Sequence, residues 1–153
     1  MPVAKRIEQL QKEFLQQCTE YETKVVNAQF LYNERVEKDS VKFDSGILSL
    51  LVEYSFFRVF LSWEYYLEQT FISYSLGEEG ANGKRVPVYV LPRDFDHAYS
   101  LIQGTSQFPD WTNSEKILKL ADNFFENGGP YQKIMGLRRN LQDIKTIRNA
   151  LAH

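Results

Sequence analysis

The feature that most constrains the fold is one long apolar stretch, SGILSLLVEYSFFRVFLSWEYYLEQTFISYSLG, residues 45–77. It carries no proline, and aromatic and branched aliphatic residues fall on every side of it. Strands in globular proteins run to about ten residues, so a stretch of this length reads as a helix. A membrane span needs about 20 apolar residues. Here Glu53, Arg58, Glu64 and Glu68 interrupt the run, and its longest charge-free piece is the nine residues Gln69 to Gly77. The reading is a buried central helix, capped by Asp44 or Ser45 and ending near Leu76.

A second long helix precedes it. Residues 3–37 hold no proline or glycine, and Ile7, Leu10, Phe14, Tyr21, Val25, Ala28 and Leu31/Tyr32 recur at three-, four- and seven-residue steps. EKDSVKFDSG then breaks the pattern. After the central helix, GEEGANGKRVPVYVLPRD reads as a glycine-rich loop with a short extended piece from Val86 to Leu91. DFDHAYSLIQG reads as a short helix stopped by Gly104. TNSEKILKLADNFFENGG begins with Thr112 and Glu115 at capping-box spacing and stops at Gly128. Pro130 fits the first turn of a short helix, and a last helix runs from Leu137 to His153. The fold expected is all-α, a single domain over 1–153, in which five or six helices form a bundle with the two long ones antiparallel.

The chain has 153 residues, 43% of them hydrophobic and 14% aromatic, enough for a sizeable core. A net charge of −2 argues against wholesale electrostatic binding of nucleic acid, while leaving room for a local basic groove. One cysteine, Cys18, cannot close an internal disulfide, and MPVAKRIEQLQKEF lacks the apolar stretch of a signal peptide. The expected localisation is cytoplasmic, with no membrane partner.

The C-terminus, IRNALAH, holds the candidate site. Leu137, Leu141, Ile144, Ile147 and Leu151 fall on one arc of the last helix and are expected to face the core. Arg148 lies inside that arc, so it must snorkel outward or be held by a carboxylate or phosphate. Asn149 and His153 share another face with Thr146, a short polar ledge. Arg148 and His153 diverge by about 140° on an ideal helix, which invites a second copy of the chain to complete the site. Histidine moves protons near neutral pH, and arginine is a permanent bidentate donor to phosphate. Asparagine can orient the histidine or bind an oxygen. This set suits cleavage of RNA by its own 2′-hydroxyl without a metal. No CxxC, P-loop, GxSxG or metal-spaced cluster competes with it.

RNALAH, Arg148 to His153, resembles the R-x4–6-H motif of the HEPN superfamily, including the polar residue that follows the arginine. FLSWEYYLEQ in a long earlier helix, and NGGPYQKIMGLRRNLQDIKT ahead of the motif, resemble the helix order of the RiboL-PSP-type branch, associated with RNA processing and with stress or phage defence. The resemblance implies a helical bundle dimerising through its motif helices and acting as a metal-independent endoribonuclease that leaves a 2′,3′-cyclic phosphate. Arg148 and His153 would be catalytic, and Asn149 the supporting polar residue. No cofactor is implied. RNA, a second copy of the chain and an antitoxin protein are the partners expected. In the family the motif helix usually continues past the histidine, so the resemblance also implies a chain that extends beyond His153.

Around this site, Glu64 and Glu68 lie one helical turn apart, with Glu53 near their face. They are either a solvated face or the carboxylates that pair Arg148. Arg138, Arg139 and Lys145 would form the local basic groove for RNA, against the plain reading of solvated surface. Trp63, Tyr65 and Tyr66 could stack bases, but packing is the better account in so apolar a helix. His97 is assigned no role and Cys18 is a packed thiol. The competing functions are a HEPN ribonuclease, a non-catalytic HEPN-type dimerisation or binding module, and a helical bundle with a coincidental ending.

Overall fold

The structure, a computed structural model, describes residues 6–37, 44–104 and 109–152, and everything below concerns those residues. The protein is all-α. Its elements are α1 (Ile7–Glu37), α2 (Ser45–Ser75), α3 (Phe95–Gln103), α4 (Ser114–Phe124), a 3-10 segment (Glu126–Leu137) and α5 (Arg138–Leu151). The two long helices have 31 residues each. Val86 to Leu91 forms no strand; Val88 makes an isolated bridge to Phe125, through Tyr89 N–H to the Phe124 carbonyl at 2.8 Å and Glu126 N–H to the Pro87 carbonyl at 3.1 Å.

The chain gathers into two compact units, Lys12–Trp63 and Met1–Gln11 with Glu64–His153. The first is a helical hairpin. Phe14 meets Trp63 at 5.8 Å, Tyr21 meets Tyr54 at 6.1 Å, and Arg58 Nε donates to the Tyr21 hydroxyl at 3.0 Å. Partners fall in α2 as α1 rises, so the helices are antiparallel. Asp44 caps α2 by accepting from the Ile47 N–H at 2.9 Å. The expected burial of α2 fails here. In its most apolar 18-residue window only 11% is buried, and although Phe60 is buried, Phe56 and Trp63 are only half-buried. One neighbouring helix covers one side of a helix that is apolar on all sides.

The second unit holds the dense core. Phe71 is wholly buried, and the rings of Trp111, Phe124, Phe125 and Tyr131 all lie within 4.9 to 5.7 Å of it. These rings come from α2, from the run leading into α4, from the end of α4 and from the 3-10 segment, so one side chain ties four pieces of chain together. The Thr70 and Tyr131 hydroxyls meet at 3.1 Å inside this cluster, which satisfies the one polar atom of the buried tyrosine ring. Burial pushes the Tyr131 hydroxyl far above the ordinary tyrosine range, so it stays neutral.

The chain reaches Tyr131 through a sharp reversal. Asn127, Gly128 and Gly129 all have positive φ (51°, 68° and 53°). A Cβ on Gly129 would meet Val86 Cγ1 at 2.9 Å and Phe125 Cβ at 3.1 Å, so both backbone angle and space require glycine. Pro130 then starts the regular part of the 3-10 segment, where Tyr131 and Ile134, three apart, are both buried, as the three-residue period of that helix demands.

Two caps differ from the sequence reading. Asn113, not Thr112, caps α4: its side chain accepts from Glu115 N–H at 3.1 Å and Lys116 N–H at 3.2 Å. Thr112 is drawn away because its hydroxyl donates to Asp110. α4 ends at Phe124 rather than Gly128, since Phe125 must turn extended to join the cluster and bridge Val88.

Phe71→Ala should cost about 3–5 kcal/mol, the usual range for a large aromatic removed from a packed core. Tyr131→Phe should cost only about 1 kcal/mol, because the Thr70 hydroxyl keeps the Tyr66 carbonyl at 2.8 Å. Urea denaturation of the two variants checks this; equal losses would show that the rings do not organise the core.

Candidate functional site

The site forms on the covered side of α5. Leu141 is buried there, and Ile144, Lys145, Arg148 and Leu151 are half-buried. The apolar arc read from the sequence is therefore rotated. Ile147 is 47% exposed, and Lys145 takes a place inside. The reason is electrostatic. Lys145 Nζ reaches Asp110 Oδ2 at 3.2 Å, with both side chains mostly covered, and this pair makes it favourable to turn the lysine inward. Lys145 is thus paired with Asp110.

Asp110 accepts three hydrogen bonds. Besides Lys145 it accepts the Thr112 hydroxyl at 2.5 Å and the Thr112 N–H at 3.2 Å. Partial burial works to raise its pKa, but these donors outweigh burial and hold the carboxyl below its usual value. Glu64 behaves in the opposite way. Burial pushes its carboxyl above the ordinary glutamate range, the nearby charge of Arg148 partly opposes this, and Asp110 and Glu68 add to the rise. Glu64, Glu68, Asp110, Lys145 and Arg148 therefore form one electrostatic neighbourhood. Glu64, one of the carboxylates expected to serve Arg148, feels its charge.

Arg148 sits half-buried near the centre of the covered face, and its Nη1 donates to Asn149 Oδ1 at 3.3 Å. The two motif residues are thus linked side by side. Thr146 is exposed, and its hydroxyl donates to the Gln142 carbonyl at 2.9 Å, so that proton is spent within the helix. His153 lies outside the described residues.

Arg138 and Arg139 lie elsewhere, exposed in the first turn of α5. That turn has no acidic residue and no side-chain cap, so the arginines add to the positive end of the helix dipole. Glu115 at the start of α4 pairs Arg138. Asn113, Glu115, Arg138, Arg139 and Gln142 line an open polar groove there.

The aromatic candidates divide. Tyr65 is 48% exposed, Tyr66 is half-buried, and Trp63 packs against Phe14. His97 lies in the first turn of α3, which Asp94 caps: the His97 backbone N–H donates to Asp94 Oδ1 at 2.8 Å, and its Nδ1 accepts from the Arg93 N–H at 3.1 Å. Sequence reading missed Asp110 altogether. DWTN carries a local signal, an aspartate two residues before a threonine, but its link to Lys145 joins residues 35 apart. Among the described residues no group of three histidine, cysteine, aspartate or glutamate side chains is placed to hold a metal. Comparison with family models, curated proteins and solved structures gives no match to this chain.

Asp110 gives a pH test. Its folded-state pKa is depressed, so below its ordinary value of 3.8 the unfolded chain binds the proton more readily. Its contribution to stability is present above that value and is lost as pH falls through the lower folded value. Thermal melts from pH 7 down to pH 2.5 should show a drop in this acid range. Asp110→Asn should shrink that drop and lower stability at neutral pH, where Lys145 loses its partner. An unchanged acid limb would refute the assignment.

Proposed function

We propose that this chain is a metal-independent endoribonuclease of HEPN type, with RNA as its partner and a toxin, stress or phage-defence role. The observation that carries the reading is Arg148. It is half-buried, set beside Glu64 and joined to Asn149, so its guanidinium is oriented and not a loose surface charge. Arg139, exposed in the first turn of α5 beside the Arg138–Glu115 pair, supports RNA as the ligand, since phosphates favour helix starts.

In this reading the RNA 2′-oxygen attacks the adjacent phosphorus and the 5′-oxygen departs, leaving a 2′,3′-cyclic phosphate and a 5′-hydroxyl. Arg148 holds the phosphate oxygens as charge builds on them, Asn149 fixes the guanidinium, and His153 of the motif moves the proton. Glu64, with Glu68 nearby, positions Arg148. The second reading is a non-catalytic HEPN-type dimerisation or binding module. The pairing of Lys145 with Asp110, and the carboxylate beside Arg148, favour it, because they resemble a structural ion network.

An RNA carrying a single 2′-deoxy nucleotide at the cleaved position decides between them. Cleavage of the all-ribo RNA should persist in EDTA, vanish on the deoxy substrate, and fall on the order of 10²-fold or more in His153→Ala. Arg148→Ala should abolish it, and Arg148→Lys should not restore it fully, since an ammonium lacks the planar fork. Undiminished cutting of the deoxy RNA would exclude the mechanism. Full activity in His153→Ala would exclude the site. No cleavage by the wild-type chain would leave the binding module.

A further inference from the structure

α2 carries an exposed heptad seam. Ile47, Leu50, Tyr54, Phe57 and Leu61 follow the alternating three- and four-residue spacing of coiled-coil a and d positions, with Ile47, Tyr54 and Leu61 at a and Leu50 and Phe57 at d. Four of the five are open to solvent: Ile47 by 45%, Leu50 by 67%, Tyr54 by 53% and Leu61 by 54%. Tyr54 also touches Tyr21 of α1 at 6.1 Å, so Ile47, Leu50 and Leu61 are the open part of the seam, the surface that a second helix covers. All five residues belong to the hairpin unit, Lys12–Trp63.

We propose that the occupant is the α2 seam of a second copy of this chain, packed in parallel about a two-fold axis along the helices. Three observations select it. The first is charge. In the same heptad frame Glu53 is a g position and Arg58 the e position five residues later, the spacing at which parallel coiled coils pair charges between strands. Two-fold symmetry makes that pair twice, Glu53 of each copy with Arg58 of the other. Arg58 is exposed, and its Nε bond to Tyr21 leaves the rest of the guanidinium fork to reach across. The second is identity: Ile at a with Leu at d, as at Ile47 and Leu50, favours two parallel strands.

The third is area. Two copies meeting along this seam would bury on the order of 1,000–1,400 Å² in total, within reach of a specific interface. A lipid surface fits less well. Glu53 and Arg58 sit in the middle of the apolar stretch, and the neighbouring α1 carries charges such as Glu20 and Lys24 on its exposed side. On α5, by contrast, Ile147 is the one large apolar side chain that is strongly exposed among the described residues. The inference therefore places a self-association surface on α2. It does not depend on any catalytic activity.

Light scattering on the full chain at tens of micromolar should give twice the monomer mass. Leu50→Glu combined with Leu61→Glu should return it to monomer with helical circular dichroism retained, since both side chains are exposed. Crosslinking tests the register. On a Cys18→Ser background, Leu50→Cys should form a covalent dimer under oxidised glutathione, because d positions face each other across a parallel two-fold. Val52→Cys, at an exposed position off the seam, should not. A monomeric wild-type chain, a dimer that survives the double substitution, or crosslinking of Val52→Cys as efficient as that of Leu50→Cys would each overturn the proposal. So would wild-type chain that partitions onto phosphatidylcholine–phosphatidylglycerol vesicles in place of dimerising.

Discussion

The packing of aromatic rings around Phe71 is the constraint on which the rest of the larger unit depends. A phenylalanine with no exposure, touched by four other rings, fixes where α2, the start and end of α4, and the 3-10 segment must lie. Trp111 is one of those rings, and Asp110 is its chain neighbour. The position of the carboxylate that holds Lys145 thus follows from a ring packed in the core. Tyr131 is another, and α5 begins seven residues after it. Both halves of the Asp110–Lys145 pair are therefore delivered by the same cluster, one from each side.

The two units handle apolar residues differently. In the larger, aromatic side chains are consumed by one another. In the hairpin, α1 meets α2 through a few contacts such as Phe14 and Tyr21, and both helices keep exposed apolar side chains, Leu15, Val26 and Phe30 on α1 and Leu50 and Leu61 on α2. Helix α2 changes character along its length: from Leu67 through Ser75 it is largely buried, whereas between Ile47 and Leu61 five large apolar side chains are open. Interior packing belongs to the C-terminal part of α2, and association to the N-terminal part.

Periodicity revealed the helices well, because an amphipathic pattern is local. Both long helices, the stop at Gly104 and the Asp44 cap could be read from residues a few positions apart. The errors came where distant residues competed. The Thr112 hydroxyl could have capped α4, but Asp110 claims it and Asn113 takes the cap. Ile147 looked like core and Lys145 like surface, and the order reversed because a carboxylate 35 residues away receives the lysine. α2 looked buried because a sequence shows how apolar a helix is and not how many neighbours it has. At the candidate site, Arg148 and Asn149 were legible from the motif. Asp110, whose partner Lys145 lies 35 residues away, was not.

The reversal at Asn127–Gly129 gives the following segment a role as a spacer. α5 follows the 3-10 segment without a break, so its rotation about its own axis is inherited from residues 130–137. Each residue added to or removed from that segment would turn the helix by about 120° relative to the core. Deleting one would carry Asn149 into the place of Arg148, and Thr146 into that of Lys145. The length of this spacer thus constrains the chain as strictly as any side chain in it. Substitutions at its exposed positions, such as Lys133 and Met135, are cheap by comparison, whereas insertions and deletions there act on the electrostatics of a site more than ten residues away.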